Sequence, residues 1–166
     1  MFVYYFAQAD RSIEETKEIL PFLLDGLSDS ANIAYRHGEE IRLRASAGNG
    51  QVAKTVRLHI GKTVELRDEI VIPIAWEATG VPSLFPKMEA ELILAPVSNS
   101  ITQISFRGSY KPPLGTIGEV ADHALFHRVA ESTVKRFVDR LRDAIVGWPR
   151  VASTNDLPRA RAAGIP

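Results

Sequence analysis

His123 and His127 stand four residues apart. In a helix that spacing puts both imidazoles on one face, where such a pair can bind zinc or move protons. Residue 124 is Ala, where the zinc-protease pattern needs Glu. Of the nearby carboxylates, Glu119 falls a turn earlier and Glu131 is expected to point away. The pair therefore reads first as rim residues bonded to the preceding loop or to water, and second as contacts of a bound ligand. No metal, no cofactor and no assigned catalytic residue is expected.

Lys54 and Asp68 interrupt apolar faces of two alternating segments: Lys54 shares parity with Val52 and Val56, and Asp68 with Leu66 and Ile70. If residues 61–63 reverse the chain, Asp68 faces Val56 and Lys54 lies diagonally beside it. An unpaired charge in an apolar space is costly, so the two read as an inward ion pair or as a pair at the sheet edge. Trp76, Phe106, Tyr110 and Phe126 read as core side chains that could also line a cavity, and a buried Tyr110 hydroxyl needs a partner. Phe85 lies in Gly80-Val81-Pro82-Ser83-Leu84-Phe85-Pro86, an apolar loop that its prolines exclude from a sheet ladder; it is a lid or a plug. No serine sits in a nucleophile elbow, and the glycines at 115 and 118 lack phosphate-loop spacing.

The elements that must position these residues follow from periodicity. Residues 2–8 are aromatic and β-branched and suit a strand. Asp10 or Ser12 can cap a helix through residue 27, which Pro21 is expected to split into two short helices. Alternation then marks strands near 41–46, 51–60, 64–76, 88–94 and 102–110, with turns at 48–50, 61–63 and 98–100. One face of each is apolar, as in an antiparallel sheet covered on one side. Residues 119–146 form an amphipathic helix of about 42 Å. Val120, Phe126, Ala130, Val134, Phe137, Val138, Leu141 and Ile145 make its apolar stripe, and Gly147 ends it.

A chain of 166 residues suits one domain, expected over 1–147 with a flexible tail over 148–166. Twenty basic residues balance twenty acidic ones, so no global field favours nucleic acid or an anionic membrane. The apolar start, Met1-Phe2-Val3-Tyr4-Tyr5-Phe6, is too short for a signal peptide or a span, and cysteine is absent. Cytoplasmic location without membrane insertion is expected, and a homo-oligomer is left open.

The order strand, helices, antiparallel meander and long C-terminal helix, together with Gly108-Ser109-Tyr110-Lys111-Pro112-Pro113-Leu114-Gly115-Thr116-Ile117-Gly118 leading into that helix, resembles the helix-grip fold of the START/polyketide-cyclase-like (SRPBCC) superfamily. The resemblance implies an α+β fold with a curved antiparallel sheet of about six or seven strands around the last helix. It also implies a cavity between sheet and helix for a small hydrophobic partner such as a lipid, polyketide or aromatic metabolite. It implies no activity, because that superfamily includes carriers, receptors and aromatic cyclases. The sequence thus predicts a binding module, a cyclase- or hydrolase-type enzyme using the same cavity, or a protein whose core is filled. Lys54, Asp68, Trp76, Phe85, Phe106, Tyr110, His123, Phe126 and His127 are the expected ligand-facing residues.

Overall fold

A computed structural model describes the backbone of residues 1–46, 55–79, 87–110 and 120–150, with side chains described except at 35, 37–46, 55–56, 78–79 and 120–126. Strand β1 (Phe2–Ala9) leads into helix α1 (Ile13–Ser46); strands β2 (Thr55–Ile60), β3 (Val64–Glu65), β4 (Ile70–Thr79), β5 (Met88–Ser98) and β6 (Ile101–Tyr110) follow, and helix α2 (Val120–Gly147) closes the order. The six strands form one antiparallel sheet in the order β1-β6-β5-β4-β2, with β3 also paired to β4. This is the α+β helix-grip arrangement, with the last helix packed on α1 and β1.

Alternation builds the inner face. Ile70, Ile72, Ile74 and Trp76 of β4, Met88, Leu92 and Leu94 of β5, and Ile104, Phe106 and Tyr110 of β6 are all buried. From α2 the buried stripe is Ala130, Val134, Phe137, Val138, Leu141 and Ile145, the helical spacing expected of an apolar face turned to a core.

Three expectations are corrected. The two short helices are one helix, and the segment 41–46 is its last turns rather than a strand. Its buried stripe, Ile13, Thr16, Leu20, Leu23, Leu27, Ala31 and Ala34, runs past Pro21 without a break. Pro21 is exposed on the outer side, where water can satisfy the Lys17 carbonyl that loses its N–H donor. Second, residues 61–63 do not reverse the chain. They stand opposite Ile72 and Pro73 as a bulge, since Ile60 pairs Ile74 while Val64 pairs Val71. The Gly61 N–H donates to the Pro73 carbonyl at 2.7 Å. Third, the segment 64–76 is two strands. The chain reverses through Arg67 and Asp68, closed by the Leu66 N–H on the Glu69 carbonyl at 2.8 Å.

Ser12 is the cap of α1. Its hydroxyl accepts from the Glu15 N–H at 3.1 Å, and Glu15 accepts from the Ser12 N–H at 3.2 Å, a reciprocal capping box. The backbone bond from Ser12 holds the Glu15 carboxyl below its usual range, an effect that outweighs its partial burial. Ser12→Ala is expected to cost about 1 kcal/mol in chemical denaturation at neutral pH. The wild-type cap is complete at neutral pH. It weakens as pH falls through the depressed Glu15 value, so the gap between wild type and variant should narrow in acid.

The chain end of α2 is tied to the start of α1. The buried Arg11 guanidinium donates to the Trp148 carbonyl, Trp148 stacks on Phe22 at 5.3 Å, and Arg150 donates to the Asp10 carbonyl at 2.8 Å. Trp148–Arg150 are thus held against the domain. The turn at 48–50, the loop 80–86, the junction 111–118 and the tail from 151 lie outside the described residues.

Candidate functional site

The inner face is best read in rows. Leu58, Trp76, Met88 and Tyr110 are successive partners across β2, β4, β5 and β6, and form the last row that all four strands share at one end of the sheet. At that end β2 and β5 begin, β4 and β6 finish, and the first described side chain of α2, His127, comes against Tyr110. Below this row, Gly108 and Ala90 leave space that aromatic rings occupy. Trp76 stacks on Phe106 at 5.5 Å, and both meet Phe137 of α2 edge-on, at 5.6 and 6.0 Å. The described interior is therefore closed by its own rings up to the Tyr110 row.

Tyr110 is buried, and its hydroxyl has one partner among the described residues, His127 Nδ1 at 3.4 Å. His127 Nε2 lies 3.2 Å from Glu131 Oε1, one helical turn on. A carboxylate accepts only, so Nε2 carries hydrogen. In the neutral ring Nδ1 is then the acceptor, and the tyrosine donates to it. Burial, then the Glu131 charge, raises the Tyr110 pKa, so the hydroxyl is protonated at neutral pH. The result is a hydrogen-bonded line from the interior to solvent, with exposure rising from 2 % at Tyr110 to side-chain values of 39 % at His127 and 56 % at Glu131.

Of the residues the sequence singles out, Trp76, Phe106, Tyr110 and His127 converge here. Lys54 and Phe85 lie outside the described residues, as do the side chains of His123 and Phe126, whose backbone belongs to α2. Asp68 does not converge: it is exposed in the β3–β4 bend and faces neither Val56 nor the interior. The physical reason is the turn, because a short polar side chain favours the reversal that an unbroken strand would exclude. Glu131 corrects a second expectation, since it turns back onto His127 rather than away. Its signal was the i, i+4 spacing, which brings two side chains of a helix together.

A further polar cluster escaped the periodicity argument. The Tyr5 hydroxyl donates to Asp139 at 3.1 Å and accepts from Lys135 at 3.0 Å, and Lys135 bonds Asp139 at 2.6 Å. Burial alone would raise the Asp139 pKa, but the bonds from Lys135 and Tyr5 outweigh it and hold the carboxyl below its usual range. This cluster pins β1 to α2 and is spent on its own partners. Among the described residues no group of three His, Asp or Glu could hold a metal ion, and no helix is long and apolar enough to cross a membrane.

Neither a family model nor a curated protein matches the chain. Similar solved structures include Ara h 8.0201, at 10% identity over 88% of this chain and 97% of that one, with a TM-score of 0.44. A hypothetical protein from Helicobacter pylori follows, at 9% identity over 84% and 87%, with a TM-score of 0.42. The Zhui aromatase/cyclase from Streptomyces sp. R1128 is 12% identical over 87% and 95%, with a TM-score of 0.37. At such identities and scores these likenesses say nothing about the site.

Proposed function

We propose that this chain binds a small, mainly apolar molecule with one polar end, a lipid, polyketide or aromatic metabolite, between the Tyr110 end of the sheet and the first turns of α2. The observation that carries the reading is the apolar row Leu58, Trp76 and Met88 ending in a buried hydroxyl shared with His127. Such a row offers dispersion and apolar area to a ligand body, and one directional contact to its head. Lys54, Phe85, His123 and Phe126 belong to the same proposal as further contacts; Asp68 does not. The protein would act in the cytoplasm as a carrier or store.

Native mass spectrometry of the purified chain, followed by a thermal-shift panel of apolar compounds, tests this. A co-purifying mass, or stabilisation that grows with ligand concentration, is expected. Tyr110→Phe should weaken binding of a compound with a polar head about tenfold, the value of one hydrogen bond at roughly 1.4 kcal/mol, and leave fully apolar compounds unaffected. No bound mass and no stabilisation by any compound would defeat the reading.

The line Tyr110–His127–Glu131 favours one second reading, an enzyme that moves a proton along it. Glu131→Gln separates the two: turnover lost with affinity kept supports catalysis, whereas unchanged behaviour leaves binding alone.

A further inference from the structure

Strand β1 is apolar on both of its faces. Val3, Ala7 and Ala9 are buried on the inner side, whereas Phe2, Tyr4 and Phe6 on the outer side are 57%, 51% and 50% exposed. Three aromatic rings therefore form a ridge along one margin of the outer sheet face, and clustered exposure of this kind marks an interface. Phe2 also lines a depression of about 670 Å³ that reaches across this face to Gly61, Pro73 and Ala75. Within that depression, Arg107 on β6 bonds Glu91 on β5 at 2.6 Å, both exposed.

We infer that this face is covered by a second copy of the chain, through a two-fold axis running along the strands between β5 and β6. The inference is independent of the ligand reading, which concerns the opposite face. Register alone dictates the match. Tyr4, Arg107, Glu91 and Pro73 share one cross-strand row; Phe2, Ser109, Glu89 and Ala75 share the next; Phe6, Ser105, Ile93 and Val71 share the third. Turning a copy over about that axis exchanges β1 with β4 and β6 with β5 while keeping the rows. Each aromatic ring then lies over a smaller side chain, Phe2 over Ala75, Tyr4 over Pro73 and Phe6 over Val71. Arg107 of each copy meets Glu91 of the other, Ser109 meets Glu89, and no like charges oppose. A two-fold axis across the strands would instead set Arg107 on Arg107 and Glu91 on Glu91, which charge repulsion disfavours. The formal net charge of zero adds no long-range repulsion between copies.

Four strands at their usual spacing, each about eight residues long, offer roughly 500 Å² of flat face per copy. The total of about 1,000 Å² is at the lower limit of specific interfaces, so a dimer of micromolar affinity is expected. Sedimentation equilibrium of the full chain over about 1–100 µM should show the mass rising from one chain to two. Tyr4→Glu, on an exposed position that leaves the core intact, should weaken association at least tenfold. Arg107→Glu and Glu91→Arg should each do the same alone, while an equimolar mixture of the two restores a dimer, since each Glu then faces an Arg of the other copy. A role for the pair within one chain cannot be rescued by mixing. A single-chain mass at every concentration, a Tyr4→Glu protein that still dimerises, or a mixture that fails to restore association would each overturn the inference.

Discussion

Phe106→Ala is expected to lower the stability of the fold by about 3–5 kcal/mol, read as a shift of the denaturation midpoint with its slope unchanged. The ring is fully buried, stacks on Trp76 at 5.5 Å and meets Phe137 edge-on at 6.0 Å. Its removal leaves a cavity among side chains fixed on three different elements. Strands β4 and β6 are separated by β5, and Phe137 belongs to α2, so none can move in without disturbing a ladder or a helix contact. Collapse around the hole is therefore incomplete, and the cost falls at the upper part of the range for core truncations. The same loss has a spectroscopic consequence. Trp76 is one of only two tryptophans, and its environment should become wetter and its emission shift to longer wavelength, while Trp148, stacked on Phe22 at the far end of α2, keeps its own. A variant within 1 kcal/mol of wild type would mean that the cluster is not the centre of the core.

The parts of this architecture visible in the sequence are those whose apolar residues are large and regularly spaced. Helix α2 shows itself through Val134, Phe137, Val138, Leu141 and Ile145, and β5 and β6 through strict alternation ending at Tyr110. Helix α1 is readable only to Leu27, because beyond it the stripe is carried by Ala31 and Ala34, small side chains that bury little area and give weak periodicity. Ile41, Leu43 and Ala45 then alternate locally, and nothing in six residues distinguishes the end of a helix from a strand. The reversal at Arg67-Asp68 is hidden by flanking apolar residues on both sides, so the bulge at 61–63 takes its place and the Lys54–Asp68 pairing follows from that error. For the site, the i, i+4 spacing of His127 and Glu131 is present in the sequence but Glu131 is expected to point away, and the Tyr110 contact needs β6 placed against α2, which no local pattern encodes. The sequence marks residues 2–8 only as a strand; that Phe2, Tyr4 and Phe6 form a second, exposed apolar face emerges once β1 is placed at the margin of the sheet.

Gly108→Ala should destabilise by about 1–3 kcal/mol, although alanine is normally the better strand residue. A Cβ at this position would stand 2.8 Å from Phe106 Cε1 and 2.9 Å from the Ala90 Cβ, closer than carbon atoms tolerate. Gly108 and Ala90 are cross-strand partners, so one contact presses β5 and β6 apart while the other displaces the ring that stacks on Trp76. Glycine is thus required here by close approach rather than by backbone conformation. The two clashes can be separated with a double-mutant cycle. Phe106→Leu removes the ring edge that the new methyl meets but keeps most of the apolar volume. Gly108→Ala in that background should therefore cost less than in wild type, by about 1 kcal/mol, and the residual cost belongs to Ala90. Strict additivity would show that the methyl is accommodated by strand separation alone. In that case the Trp76–Phe106 stack would be unperturbed in the single variant, and tryptophan emission would be the same as in wild type. A perturbed stack should also loosen the Tyr110 row immediately above it, because Tyr110 and Met88 continue the same two strands. Gly108→Ala is thus expected to weaken ligand retention at the proposed site in proportion to the emission change, and Gly108→Ala with Phe106→Leu to recover part of it.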